Sequence, residues 1–423
     1  MTLKKNLALM GMTTAVRLGT GLLTFSVLAR TLGPQSFGIL ALWLSVSALI
    51  TIVSNYGFIP HVLREIGASP VSAELIINEG LTAKLILSVP IFLLSVFAAW
   101  IFDFQHTSIF LCLLAASISD CFAEFMNASL RARDRFEIET RIASGGAVSH
   151  AVIVCTLALT FKSIEMVAWG YFLSRALILT ATLTAVTSYF SRPRLVSVRA
   201  SIDRLHKAFS YAMDYALQSL FGQIDSVVLN HFLGPMAVGL YQAGMRIFQV
   251  GAQAASVFSN VFLPRAAKIY SSGSGFGSES NRIQVIFIST GVLFGIVIAS
   301  CAEILVSLLL GPSYTAVVEL LPLFGLLFFL RFSAAAWGIV LTASGHQTYR
   351  TICGLAYWGG ILALAIWLVP AYGNTGWLLS LCVCTVLLVI GYAARARRCL
   401  EKFWSSVGLF VLGSVLFLPF VLR

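Results

Sequence analysis

Charge is what this sequence has least of. Asp, Glu, Lys and Arg make up 11% of its 423 residues, against roughly 25% in an ordinary soluble domain. So thin a charged surface excludes water as the main solvent. The eight cysteines form no framework. Cys112, Cys121, Cys155, Cys301, Cys353, Cys382 and Cys384 lie in apolar runs, where a thiol acts as a small hydrophobe. No Cys-x-x-Cys and no Cys/His cluster occurs, so no metal site is expected. The Gly/Ser-rich stretch 271–278 is not followed by Gly-Lys-Ser/Thr, which removes the Walker pattern and ATP hydrolysis with it. Alternate connections (103–108, 162–165, 234–238, 370–373) are too short for a catalytic domain. They hold no carboxylate pair or nucleophile triad. An enzyme is therefore disfavoured, and no cofactor is expected.

What is present is apolar. Hydrophobic residues make up 58% of the chain and the mean hydropathy is +0.91. A spanning helix needs about 20 mostly apolar residues. Twelve such segments are read at 8–29, 38–60, 81–102, 109–130, 142–161, 166–188, 210–232, 239–262, 283–306, 319–341, 351–369 and 375–394. A further run, Phe403 to Leu422, is long enough to cross, lie in the interface or pack outside the bundle. The expected organisation is an all-α polytopic membrane protein. It has an N-terminal lobe over 1–190, a cytoplasmic linker over 191–209, a C-terminal lobe over 210–398 and an extra apolar helix over 399–423.

The net charge of +11 invites a nucleic-acid reading, but its placement argues for topology instead. Lys4 and Lys5, Arg131 to Arg141, Arg192 to Lys207, Arg265 to Arg282, Arg350, and Arg395 to Lys402 fall in alternate connections. This is the positive-inside pattern; it places the N-terminus in the cytoplasm and leaves no call for nucleic acid. Ser201 to Lys207 reads as a short basic amphipathic helix on the inner surface.

Leu32-Gly33-Pro34-x-x-x-Gly38 returns as Leu233-Gly234-Pro235-x-x-x-Gly239. Each copy follows one apolar run and opens another. Two like-oriented six-helix lobes are expected, related by a pseudo-two-fold along the membrane normal, with a substrate path at their seam.

Ionisable groups inside spans cost at least about 2.5–3.5 kcal/mol each on insertion scales and face cavities or one another. The expected spans contain Arg17, Asp120, Glu124, His150, Arg175, Asp214, Asp225, Arg246 and Arg331. Counting about 1.5 Å per residue, Asp225 shares a level with Arg246, and Asp120 with Arg175. These are read first as interhelical pairs. Asp120, Glu124, Arg175 and Asp225 are candidates for such pairing or for ion coupling. Arg17 and Arg331 have no partner at their level. They are read as facing a wet cavity and an anionic ligand, because the guanidinium binds phosphate bidentately and stays charged. His150 is read as a packing residue.

The run Arg30-Thr-Leu-Gly-Pro-Gln-Ser-Phe-Gly38, Asn55-Tyr-Gly57, Arg64, and Val238-Gly-Leu-Tyr-Gln-Ala-Gly-Met-Arg246 resemble the polysaccharide-biosynthesis flippases. These are the Wzx-like exporters of the multidrug/oligosaccharidyl-lipid/polysaccharide superfamily. Leu310-Gly-Pro-Ser-Tyr314 fits the same pattern. The resemblance implies a MATE-like fold around a cationic cavity. It implies alternating-access transfer of an undecaprenyl-pyrophosphate-linked oligosaccharide across the bacterial inner membrane for surface polysaccharide synthesis. It strengthens Arg17 and Arg246 as substrate-binding residues and leaves Arg331 the weaker candidate. Membrane lipids, a polysaccharide polymerase and other assembly proteins are candidate partners. A cation-coupled multidrug exporter of the same fold, or a membrane-embedded polymerase or ligase, are the alternatives.

Overall fold

The computed structural model describes residues 3–68, 72–133, 135–189, 194–272 and 275–421. Arg192 of the linker, Gly273 and Ser274 of the Gly/Ser loop, and Leu422 of the last apolar run lie outside them, as do the side chains of Lys4, Lys5 and Asp214. The regular structure of the described residues is all helical, with no strand among them. The helices are α1 (Leu3–Asn55), α2 (Phe58–Ala68), α3 (Ala73–Ile101), α4 (Thr107–Ala132), α5 (Phe136–Phe161), α6 (Ile164–Tyr189), α7 (Val198–Leu233) and α8 (Pro235–Ser271). They continue as α9 (Phe276–Ser300), α10 (Ala302–Leu309), α11 (Thr315–Ala343), α12 (Gln347–Ala396), α13 (Phe403–Leu416) and α14 (Leu418–Val421).

Two of these are too long to be single crossings. The 53 residues of α1 and the 50 of α12 would run well beyond twice a ~30 Å hydrocarbon core at about 1.5 Å per residue. Each is broken by a glycine: Gly33 at φ 71°, ψ 171° and Gly373 at φ 59°, ψ −138°. With those breaks, twelve long helical segments fall where the sequence places its twelve spans.

The repeated Leu-Gly-Pro phrase has one backbone form. Gly33 (φ 71°, ψ 171°), Gly234 (φ 81°, ψ 178°) and Gly311 (φ 88°, ψ −178°) share a conformation that is essentially glycine-only. The following proline then starts the next helix at a position that needs no N–H. The phrase is therefore a stop-and-restart device: one helix ends and the next begins without a loop.

Nine segments among the described residues are long and apolar enough to cross a membrane. α7 and α8 are not among them. α7 carries Gln218, Gln223, Asp225 and Asn230, and α8 carries Gln242, Arg246, Gln249, Gln253 and Asn260. Helices this long and this polar need a wet face or polar partners at membrane depth.

The chain packs as two compact units, residues 1–228 and 229–423. The division falls inside α7, not in the 191–209 linker expected from sequence. The reason is that the first part of α7 is bound to α1, α2 and α3. Asn55 Nδ2 donates to Tyr215 Oη at 2.8 Å, and Arg64 Nη1 donates to Tyr211 Oη at 2.9 Å. A side chain on Gly57 would collide with the Tyr211 carbonyl, its Cβ falling 2.3 Å from that oxygen. Arg204, 6% exposed, is clamped by Glu65 at 2.6 Å and Glu79 at 2.5 Å. The helix expected at 201–207 is thus the opening of α7. Ser201, Arg204 and Ala208 form its buried face, while Ile202, Asp203, His206 and Lys207 are exposed.

In the first unit, Phe58, Val62, Ile76, Ile77, Phe125, Met126 and Val186 form the main core. In the second, α11 is the central element, buried at most positions from Val317 to Ala343. The last apolar run is broken at Phe417 into α13 and α14. It packs on the outside of this unit, where Phe410 and Phe417 stack on Phe329 at 5.4 and 5.6 Å.

Candidate functional site

The first unit holds its membrane charges in a ladder. Asp120 and Glu124 lie one turn apart on α4, so they share a face. Arg175 of α6 reaches Asp120, Nη1 to Oδ1 at 2.8 Å. Arg17 of α1 reaches Glu124, Nη2 to Oε1 at 2.8 Å. Arg17 therefore has the partner that the level count did not find. The other Glu124 oxygen is 3.9 Å from Arg131 Nη2, and Arg131 Nε is 4.0 Å from Glu139 of α5. Three arginines thus face three carboxylates across four helices, and their charges cancel. The Arg17 side chain is 46% exposed and Glu124 29%. His150 Nδ1 lies 2.7 Å from Ser174 Oγ and its ring meets Tyr171 edge-on at 4.8 Å.

Lys84 is a charge the sequence reading passed over. It is 1% exposed and donates to the Ser54 carbonyl at 2.8 Å. Phe58, Phe122 and Phe125 surround the ammonium at 5.6–5.7 Å. Ser54 sits where α1 ends, so its carbonyl has no helical donor; Lys84 supplies one. Asp225, 9% exposed, accepts the Ser226 backbone N–H at 2.7 Å. Ser226 in turn lies 3.0 Å from Ser45, oxygen to oxygen. Asp225 and Arg246, expected as a pair, belong to different units.

The second unit is different. Arg246 of α8 is exposed and heads a polar stripe with Gln249 and Gln253; Gln249 Oε1 accepts from Arg246 Nη1 at 3.4 Å. Arg331 is exposed in the middle of α11, where Leu327, Phe328, Leu330, Phe332 and Ala334 are all buried. Its guanidinium lies 5.7 Å from the Tyr357 ring. Within the second unit no described carboxylate forms an ion pair with either arginine. Their spacing follows from the packing of α8 on α11. Gly244 meets Phe324 and Gly251 meets Phe328, so the two helices run the same way. Counted from these two contacts, Arg331 lies five to eight residues further along than Arg246, an offset of roughly 8–12 Å along the helix axes.

Among the described residues no group of three or more His, Cys, Asp and Glu could hold a metal ion.

A family model described as "Polysaccharide biosynthesis protein" matches residues 3–270. The chain is 29% identical over 193 residues to the capsular polysaccharide biosynthesis protein CapF of Staphylococcus aureus, covering 44% of this chain and 48% of that one. The chain thus matches about half the length of this relative. Its fold is similar to that of lipid II flippase MurJ in an inward closed conformation, with a TM-score of 0.74, 11% identity, and 96% and 97% of the two chains covered. It is also similar to an inward-facing multidrug resistance MATE family transporter of the MOP superfamily, with a TM-score of 0.69, 14% identity, and 91% and 98% covered. The multi-pass, all-helical architecture is therefore MATE-like, and the chain belongs to the polysaccharide biosynthesis protein family.

Proposed function

We propose that this protein is a flippase that carries a lipid-linked oligosaccharide, joined through undecaprenyl pyrophosphate, from the inner to the outer leaflet of a bacterial inner membrane by alternating access. The observation that carries the reading is the pair Arg246 and Arg331: exposed cations on spans, with no ion pair to a described carboxylate of their own unit. A pyrophosphate cannot enter hydrocarbon uncompensated. Exposed guanidiniums replace its hydration with charge-assisted hydrogen bonds, while the polyprenyl tail stays in lipid. The amides of Gln249 and Gln253, beside Arg246, supply donors and acceptors to sugar hydroxyls. Arg17 is the proposed phosphate ligand of the first unit. The acids Asp120, Glu124 and Asp225 are the proposed sites where an ion gradient would act. The positive-inside pattern supports a cytoplasmic N-terminus.

The test is complementation of a flippase-deficient strain. Wild-type protein should restore surface polysaccharide, and Arg17→Ala, Arg246→Ala and Arg331→Ala should each reduce it at unchanged protein level. Undiminished export by all three variants would refute the reading.

A further inference from the structure

We propose that Glu124 is a built-in placeholder for the substrate's phosphate. It neutralises Arg17 in the empty carrier and transfers to Arg131 when a phosphate takes Arg17. The inference rests on the proposed transport of a pyrophosphate lipid and adds a mechanism for loading and release.

Three observations carry it. First, the Arg17–Glu124 contact is short, 2.8 Å, yet Arg17 is 46% exposed. An arginine at this depth is costly without a counter-charge, and the pair leaves its outer side open to a second anion. Second, Glu124 has another cation within reach. Its free oxygen stands 3.9 Å from Arg131 Nη2, an ion pair too long to be a hydrogen bond. Third, Arg131 has unused capacity. Its Nε is buried without a hydrogen-bond partner, and its distance to Glu139 is 4.0 Å. Movement of Glu124 toward Arg131 turns the 3.9 Å contact with Nη2 into a charge-assisted hydrogen bond as the pair with Arg17 is given up. The exchange keeps Arg17 and Glu124 each beside an opposite charge at both stages: Arg17 by Glu124 and then by phosphate, Glu124 by Arg17 and then by Arg131, which it shares with Glu139. Return of Glu124 to Arg17 displaces the phosphate on the releasing side. Glu124 and Arg131 are thus positioning residues, acting on the substrate through Arg17.

The proposal predicts a sign that a purely structural ion pair does not. The full-length protein is purified in detergent, and binding of undecaprenyl pyrophosphate is titrated, with undecaprenol as the phosphate-free control. Glu124→Gln, which keeps shape and removes charge, should tighten binding roughly two- to five-fold, the worth of a partly exposed pair, and slow export through delayed release. Glu124→Asp, which draws the carboxylate back from Arg17, should tighten it less. Arg131→Ala should weaken binding, because Glu124 then has no second partner. In Arg17→Ala the Glu124→Gln effect should vanish. Unchanged or weaker binding by Glu124→Gln overturns the proposal. So does tightening that survives without Arg17 or that extends equally to undecaprenol. If Arg17→Ala itself binds like wild type, Arg17 leaves the transport mechanism altogether. If Arg17→Ala is weakened while Glu124→Gln is unchanged, only the placeholder falls.

Discussion

Replacing Gly33 and Gly234 by alanine separates backbone geometry from packing. An alanine Cβ at either site would meet no heavy atom within 4 Å, so steric collision contributes nothing. What remains is the conformation itself, φ 71°, ψ 171° at Gly33 and φ 81°, ψ 178° at Gly234. An L-residue held there costs about 1–3 kcal/mol. Gly19 is the internal control: it also has open space around its Cβ, but it lies in the helical part of α1. There alanine should stabilise by about 0.5–1 kcal/mol, because glycine is the poorer helix former. The two classes of substitution therefore differ in sign. The assay is the thermal midpoint of the detergent-solubilised protein, followed by size-exclusion recovery after heating. Gly33→Ala and Gly234→Ala should each lower the midpoint, Gly19→Ala should hold or raise it, and the double variant should lose about the sum. If Gly33→Ala is as stable as Gly19→Ala, the stop-and-restart reading of Leu-Gly-Pro is wrong.

Other substitutions probe other parts of the frame. Lys84→Ala should destabilise by about 2–5 kcal/mol, leaving the Ser54 carbonyl unpaired and a cavity among three phenylalanine rings; Lys84→Met, which refills the volume, should lose less in the same thermal assay. Arg204→Ala should cost about 1–3 kcal/mol by removing the partner of Glu79 and of the more exposed Glu65, seen as a lower midpoint and as proteolysis near the start of α7. Asp120→Asn should change stability by no more than about 1 kcal/mol, since both partners are about a third exposed. A large fall in export at unchanged midpoint would then assign Asp120 to ion coupling, and unchanged export would leave it as packing.

Most of the frame is legible because a bilayer imposes a simple length rule. Apolar runs of the right size marked the twelve spans, and Leu-Gly-Pro marked the helix restarts within α1 and between α7 and α8. Legibility fails where an element serves two purposes. α7 reads as linker followed by span, since Arg204 and Lys207 look like solvated inner-surface charges. Only the fold shows Arg204 turned inward onto Glu65 and Glu79. Lys84 lies near the inner end of its span, where a lysine normally snorkels to the interface, so nothing in the sequence distinguishes it from a topology signal. The partner of Arg17 is 107 residues away on α4. Depth counting orders charges along the membrane normal, but it does not say which helices are neighbours, so it paired Asp120 with Arg175 and missed Glu124 with Arg17. The polar stripe of α8 is written in the sequence as Arg246, Gln249 and Gln253 at helical spacing, two of its three members being uncharged.

The most direct test of the transport claim is made in vesicles. The purified protein is reconstituted in sealed liposomes holding a fluorescent undecaprenyl-pyrophosphate-linked oligosaccharide. Exposure of the glycan on the opposite leaflet is read by a membrane-impermeant quencher. The account predicts protein-dependent transfer that is lost when Arg246 and Arg331 are both replaced by alanine, although the variant stays folded. Full-rate transfer by that double variant, or no transfer by the wild-type protein in vesicles where it is correctly folded, would contradict it.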